Sequence, residues 1–445
     1  MVSSTGEASE LVYGFRLSSV GPANVTGTDV VYEPSSLDQA MRLHYLRQVC
    51  YFKMDSTVAD YQQASEQMAL IYKIKETMFK WLNQYFMVNG RFRRSDAGWP
   101  FIKCNDCGTR FIEAKCPKTL DDWLDLTRES SSLHKLVVPN KIIGPEPLFS
   151  PPVLLQFTWF KCGGLALGLS WAHILGDPFT ATDFLNMCGL LFSGEKPGPI
   201  PIFPKASTLL PRKENPTPSA ILPGSLKRVD PVGDNWFGAP SGCNMDTYSF
   251  HISPTQLADL QSQIVSKNVG TEIPTFELLA AVFWKSIARI RDGVKEDVNA
   301  VTVCRKGARK KYSMNNTLMI TTVTTESNVS EMGIEEMAKL VTKEGEDEGG
   351  EIEAAVDGEN GLGDFVVYGG NLTFVRMEDA EMYGMLLKGE KPVYVDYWID
   401  GVAEKGAVLV LPMRDETEGR VVKAILPEEE MAQLKMSLKK HWSIV

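Results

Sequence analysis

The spacing of hydrophobic positions changes period several times along this chain, and each change marks an element. An apolar segment at Tyr13 to Val20 and a polar break around Pro34 to Asp38 are followed by helical spacing. Two helices are predicted next, over 61–75 and 77–86. From Met87 to Ala114, short apolar alternation broken by Gly-containing turns reads as consecutive strands. The text PVLLQFTWFKCGGLALGLSWAHI then supplies two β-rich runs around Gly163 and Gly164, a hairpin whose second strand delivers His173 at its end. A polar side chain at a strand terminus can face a cleft, whereas one in mid-strand is committed to a sheet face.

Eight prolines between Pro197 and Pro223 rule out regular helix or a central strand there, because each lacks an amide donor. The stretch 196–232 is read as a crossover linker between an N-terminal lobe, 1–195, and a C-terminal lobe, 233–445. In the second lobe Ser253, Pro254 and Gln256 form a helix start, with Leu257, Leu260 and Ile264 on one face. The segment PTFELLAAVFWKSIARIR repeats that pattern. The acidic, Gly-rich run 344–363 holds too little apolar surface to offset its ordering entropy and is expected to be a mobile surface loop. Strands return at 365–368, 372–375 and 408–411, and a last helix starts at Pro427 with Lys435, Lys439 and Lys440 near its end. No internal repeat is visible. The expected fold class is α/β, with mixed sheets flanked by helices.

At 445 residues the chain exceeds what one core usually supports, in keeping with two lobes. A formal charge of −10 argues against a nucleic-acid partner, which needs a basic footprint. One basic run, Arg305, Lys306, Arg309, Lys310 and Lys311, is either a solvated loop or an attraction site for a phosphorylated cofactor. The first residues lack the pattern of a secretory signal, so a cytosolic-facing protein is expected and the sequon at Asn371 carries no glycan. No apolar run reaches the length of a membrane span. The eight cysteines are scattered as buried thiols would be, and Cys104 and Cys107 lack a second pair at zinc spacing, so no metal site is expected.

Candidate chemistry centres on LSWAHILGDPF, with His173 and Asp177. An imidazole there can deprotonate an alcohol or amine attacking a thioester and then protonate the departing thiolate. Asp177, between Gly176 and Pro178, fits an N-cap with proline as the first helical residue, anchoring the loop that presents His173. An ion pair with Arg305 or Lys306 is the second option for it. On this pair of residues alone, a core histidine is the better reading. No phosphate-binding glycine loop, H-E-x-x-H helix or G-x-S-x-G elbow appears.

The wider text resembles the plant BAHD acyltransferase family from end to end: SSLDQA, NGRFRR, CNDCGTRFIEA, SWAHILGD, the Pro-rich crossover, TFELLAAVFWKS and GAVLVLP. That resemblance implies a two-lobed chloramphenicol-acetyltransferase-like fold with a channel at the lobe interface. It implies His173 as general base, Asp177 as structural anchor, and a coenzyme A thioester as substrate rather than a bound cofactor. From the basic run, read by its charge, Arg305 and Lys306 are the candidates to attract its phosphates. Two features depart from the family. Pro178 stands where glycine is usual after the motif Asp, and Leu386 to Glu390, LLKGE, replaces the D-F-G-W-G signature. With KCGGLALGLSWAHILGD and YGGNLTFV, these departures resemble the eceriferum and glossy branch. That branch implies an accessory role in very-long-chain fatty acid elongation for cuticular wax, at the cytosolic face of the endoplasmic reticulum. The implied partners are very-long-chain acyl-CoA and the elongase condensing enzyme, a ketoacyl-CoA synthase. The competing reading is acyl transfer from coenzyme A to an alcohol or amine.

Overall fold

The computed structural model describes residues 11–27, 29–54, 60–96, 98–139, 150–195, 222–232, 243–264, 273–291, 298–308, 314–343, 345–359, 363–414 and 419–444. Among these, a six-stranded sheet runs in the order Tyr13–Val20, Thr109–Cys116, Val153–Phe160, Leu165–Ala172, Tyr45–Phe52 and Tyr394–Asp400. Its pairs are antiparallel except Thr109–Cys116 with Val153–Phe160. The three strands Val153–Phe160, Leu165–Ala172 and Tyr45–Phe52 are buried at every position, which is why two of them read as unbroken apolar text. The helices Asp60–Trp81 and Pro178–Phe192 meet through Trp81 and Phe184, with Trp171 of the sheet beneath.

A second six-stranded sheet follows the order Met245–Ile252, Arg420–Pro427, Ala407–Pro412, Leu372–Arg376, Ala300–Lys306 and Leu318–Thr324. The helix Thr275–Arg291 is buried nearly throughout, and its Phe276, Leu279, Phe283 and Ile287 share a core with Met431 and Leu434 of the helix Glu428–Trp442. The predicted cap at Ser253 is formed in both directions: its hydroxyl accepts from the Gln256 amide at 3.2 Å and its amide donates to Gln256 Oε1 at 2.9 Å.

Several expectations are corrected. The two helices over 61–75 and 77–86 are one, Asp60–Trp81, because the polar residues at the supposed break form a partnered face: Lys75 reaches Glu113 at 2.7 Å and Lys80 reaches Glu76 at 3.0 Å. The acidic run expected as a mobile loop carries the helix Gly349–Gly358, held down by buried Ile352, Ala355 and Val356. Most of the predicted linker, 196–221, lies outside the described residues. Its remaining end forms the strand Lys227–Val229, antiparallel to Asp364–Val366. Residues 394–400, assigned by sequence order to the second lobe, complete the sheet of the first by pairing Tyr397 with Gln48 and Ile399 with Leu46. That exchange covers the edge of Tyr45–Phe52 that would otherwise stand unpaired.

The segment LLKGE makes a tight reversal in which Leu387 and Glu390 exchange backbone hydrogen bonds of 3.0 Å. Lys388 and Gly389 take positive φ, 53° and 86°, as a two-residue hairpin turn requires.

Candidate active site

His173 opens a short 3-10 turn, His173–Leu175, directly after the strand Leu165–Ala172. Its amide donates to the His44 carbonyl at 3.1 Å, so the chain is held as it leaves the sheet. Gly176 then takes φ 150°, where a Cβ would lie 2.8 Å from the Thr180 side chain. Asp177 caps the helix Pro178–Phe192 with proline in its first turn, as the sequence predicts. One carboxylate oxygen accepts from the Thr180 amide at 2.9 Å and hydroxyl at 3.1 Å. The other accepts from the Thr317 amide at 3.0 Å and hydroxyl at 2.9 Å, across the junction between lobes. Next to it Asn316 donates to the His173 carbonyl at 2.9 Å and to Asp38 Oδ1 at 2.7 Å. His173 and Asp177 are thus brought together as backbone anchor points.

The imidazole itself is sealed. His173 has no exposed surface, its Nδ1 has no hydrogen-bond partner among the described residues, and its Nε2 lies 2.9 Å from the Tyr368 hydroxyl. Tyr368 is equally buried, and its ring packs edge-on against His44 at 4.8 Å between centroids. The expectation that His173 faces an open channel is therefore corrected at this residue: Tyr368 and His44 fill the space in front of the ring. Burial drives the His173 pKa down to about 4, against upward pulls from its own backbone, Asp177 and Asn316. Burial and the His173 ring take His44 to about 3. Both rings are neutral at pH 7. A general base must reach the proton it removes, and the place next to Nε2 is occupied by a phenol whose own pKa burial raises well above the ordinary value.

Arg305 and Lys306 end the strand Ala300–Lys306. Arg305 bonds the Val341 carbonyl at 2.6 Å and pairs with Glu277 at 3.4 Å, over the Phe276 ring, and neither it nor Lys306 bonds Asp177. The exposed Lys306 sits over the ring of Phe179, two residues beyond Asp177. Arg309, Lys310 and Lys311 lie outside the described residues.

Sequence reasoning missed His44, Asn316, Thr317 and Tyr368. They join the site only through tertiary contact, Tyr368 from 195 positions away; Tyr368 heads the text YGGNLTFV, but nothing in that text marks its hydroxyl as the partner of His173. Elsewhere Cys104 is buried and Cys107 exposed, and among the described residues no cluster of metal-ligating side chains and no helix long and apolar enough to cross a membrane is present.

A sequence model of the Transferase family matches residues 19–440. The chain belongs to that family, the BAHD acyltransferases. It is 38% identical to Protein ECERIFERUM 2 of Arabidopsis thaliana over 439 residues, covering 95% of this chain and 97% of that one. Among solved structures it is similar to vinorine synthase, with a TM-score of 0.66 and 18% identity over 95% of this chain and 96% of that one. It is also similar to TRI101 of F. graminearum complexed with coenzyme A and T-2 mycotoxin, with a TM-score of 0.70 and 14% identity over 93% and 98% of the two chains. These likenesses place the two-lobed architecture in the BAHD fold. Within that fold, this member keeps the anchored loop around His173 and Asp177 and closes the imidazole from solvent.

Proposed function

We propose that this protein acts in very-long-chain fatty acid elongation for cuticular wax, as an accessory partner of the elongase condensing enzyme at the cytosolic face of the endoplasmic reticulum. The observation that carries the reading is the seal over His173: a base whose Nε2 is capped by Tyr368 and whose ring meets no solvent is poorly arranged for turnover. Similarity to ECERIFERUM 2 across nearly the whole chain supports the same assignment. The role then lies in surfaces that bind very-long-chain acyl-CoA or its synthase rather than in the motif. Co-expression in yeast with a plant ketoacyl-CoA synthase tests it, with the acyl chain lengths as readout. Longer products than the synthase makes alone are expected; an unchanged distribution with both proteins present would sink the idea.

A second reading is favoured by the intact anchoring of Asp177 on Thr180 and Thr317. In it the acceptor oxygen or nitrogen attacks the thioester carbonyl, the carbon–sulfur bond breaks, and His173 passes the acceptor proton to the coenzyme A thiolate, with Arg305 and Lys306 drawing in the phosphates. It requires Tyr368 to leave Nε2. Acceptor-dependent release of coenzyme A that disappears in His173→Ala would establish it, and no release with any alcohol or amine would remove it.

A further inference from the structure

Two cavities lie along the seam between the lobes, on the same strand face. Met245 and Thr247 line one of ≈ 350 Å³, and Ser249 and His251 line one of ≈ 210 Å³; these are four successive alternate positions of the strand Met245–Ile252. The facing strands repeat the division, with Ile425 and Trp398 on the larger cavity and Val421 and Tyr394 on the smaller. Between those positions stand Lys423 and Asp396, both fully buried, with Lys423 Nζ 2.6 Å from one carboxylate oxygen and 2.8 Å from the other. Lys423 also donates to Ser249 Oγ at 2.6 Å. Burial pushes the Asp396 carboxyl up and the Lys423 ammonium down, and the close contact between the two opposes both shifts, so the hydrogen-bonded pair forms a polar wall across the seam.

The smaller cavity has a polar floor and an apolar body. The floor is Ser249, His251 and His134, whose Nδ1 bonds the Tyr51 hydroxyl at 2.7 Å and whose Nε2 lies 3.6 Å from Asp396. Burial takes the His134 pKa down to about 4 and lowers that of His251, so both imidazoles are neutral and can donate or accept. Among the described residues His251 makes no side-chain hydrogen bond, although it is mostly buried and lines the cavity. Leu124, Val393, Met413 and Val421 supply the apolar part, and Arg128 and Arg414 also line the space.

We propose that this smaller cavity is a binding site for a small carboxylic acid with an apolar body. The carboxylate takes hydrogen bonds from His251 and the floor around Ser249, and the body lies against Leu124, Met413 and Val421. A hydrocarbon without a head would leave the floor unpaired, and a cation would meet the arginines. A void of about 150 Å³ accepts benzene, so this one suits about eight to ten non-hydrogen atoms. A straight-chain acid and an aromatic acid share this chemistry. The site is independent of His173 and of the elongase reading.

Calorimetric titration of the full chain with octanoate, benzoate and octylamine tests the proposal. Saturable binding of one equivalent of octanoate or benzoate is expected, and the stronger of the two identifies the body; octylamine should bind at least about ten-fold more weakly. His251→Leu should weaken the acid about ten-fold, the scale of one hydrogen bond to a charged group. Thr247→Ala, beyond the Lys423–Asp396 wall, should leave affinity unchanged. Absence of saturable binding for both acids would overturn the assignment, as would equal affinity in folded His251→Leu, or loss of binding in folded Thr247→Ala alone.

Discussion

His173, His44 and His134 are neutral in the fold because burial holds their pKa values near 4, 3 and 4, while an unfolded chain restores about 6.5. Between those limits the unfolded state binds more protons, so stability is full above about pH 6.5 and is lost as pH falls toward 4. Each histidine contributes a slope of up to about 1.4 kcal/mol per pH unit. Urea midpoints should therefore drop steeply between pH 7 and pH 5, and the drop should be shallower in His44→Asn; parallel curves for the two proteins would contradict the sign. Tyr368→Phe removes the hydroxyl from His173 Nε2 and leaves a buried nitrogen unpaired, at a cost of about 1–3 kcal/mol in urea unfolding. A change below about 0.5 kcal/mol would mean that the contact does not hold the ring. The place of His173 at a strand end and the capping role of Asp177 were legible, since both follow from neighbouring residues. The cap on the imidazole was not, because Tyr368 and His44 come from separate elements. A buried pair such as Asp396 and Lys423 leaves a fainter signal, one charge in the interior of each of two apolar strand texts, YVDYWID and RVVKAILP, which also carry a charge at one end.

At the scale of elements, the run 344–363 reads as a loop because its charge and glycine content outweigh its few apolar residues. Ile352, Ala355 and Val356 recur at helical spacing, and they bury one face of Gly349–Gly358 while the glutamates stay in water. Ser36 bonds Asp357 at 2.6 Å, tying this helix to the short helix Ser36–Ala40 that carries Asp38. Ile352→Ala should cost about 2–4 kcal/mol in denaturant unfolding, as deletion of a packed core side chain does. A loop residue would change stability by less than about 0.5 kcal/mol, and that result would contradict the packing. Capping text was the most dependable local signal: Ser253 with Gln256 and Asp177 with Pro178 both form the ends they predict.

At the scale of the whole molecule, the alternation of strands and helices made an α/β fold legible, but sequence order could not reveal that Tyr394–Asp400 closes the sheet of the first lobe. The same exchange places Asp396 against Lys423 and so divides the seam between the lobes. It leaves a molecule with the BAHD architecture, an anchored motif loop and an imidazole shut off from both sides. In the proposed role this chain serves elongation without turnover at His173, and the most direct test is complementation of a wax-deficient plant with His173→Ala beside wild type. Wax chain lengths restored equally by both are predicted; a His173→Ala protein present at wild-type level that restores nothing would contradict the claim.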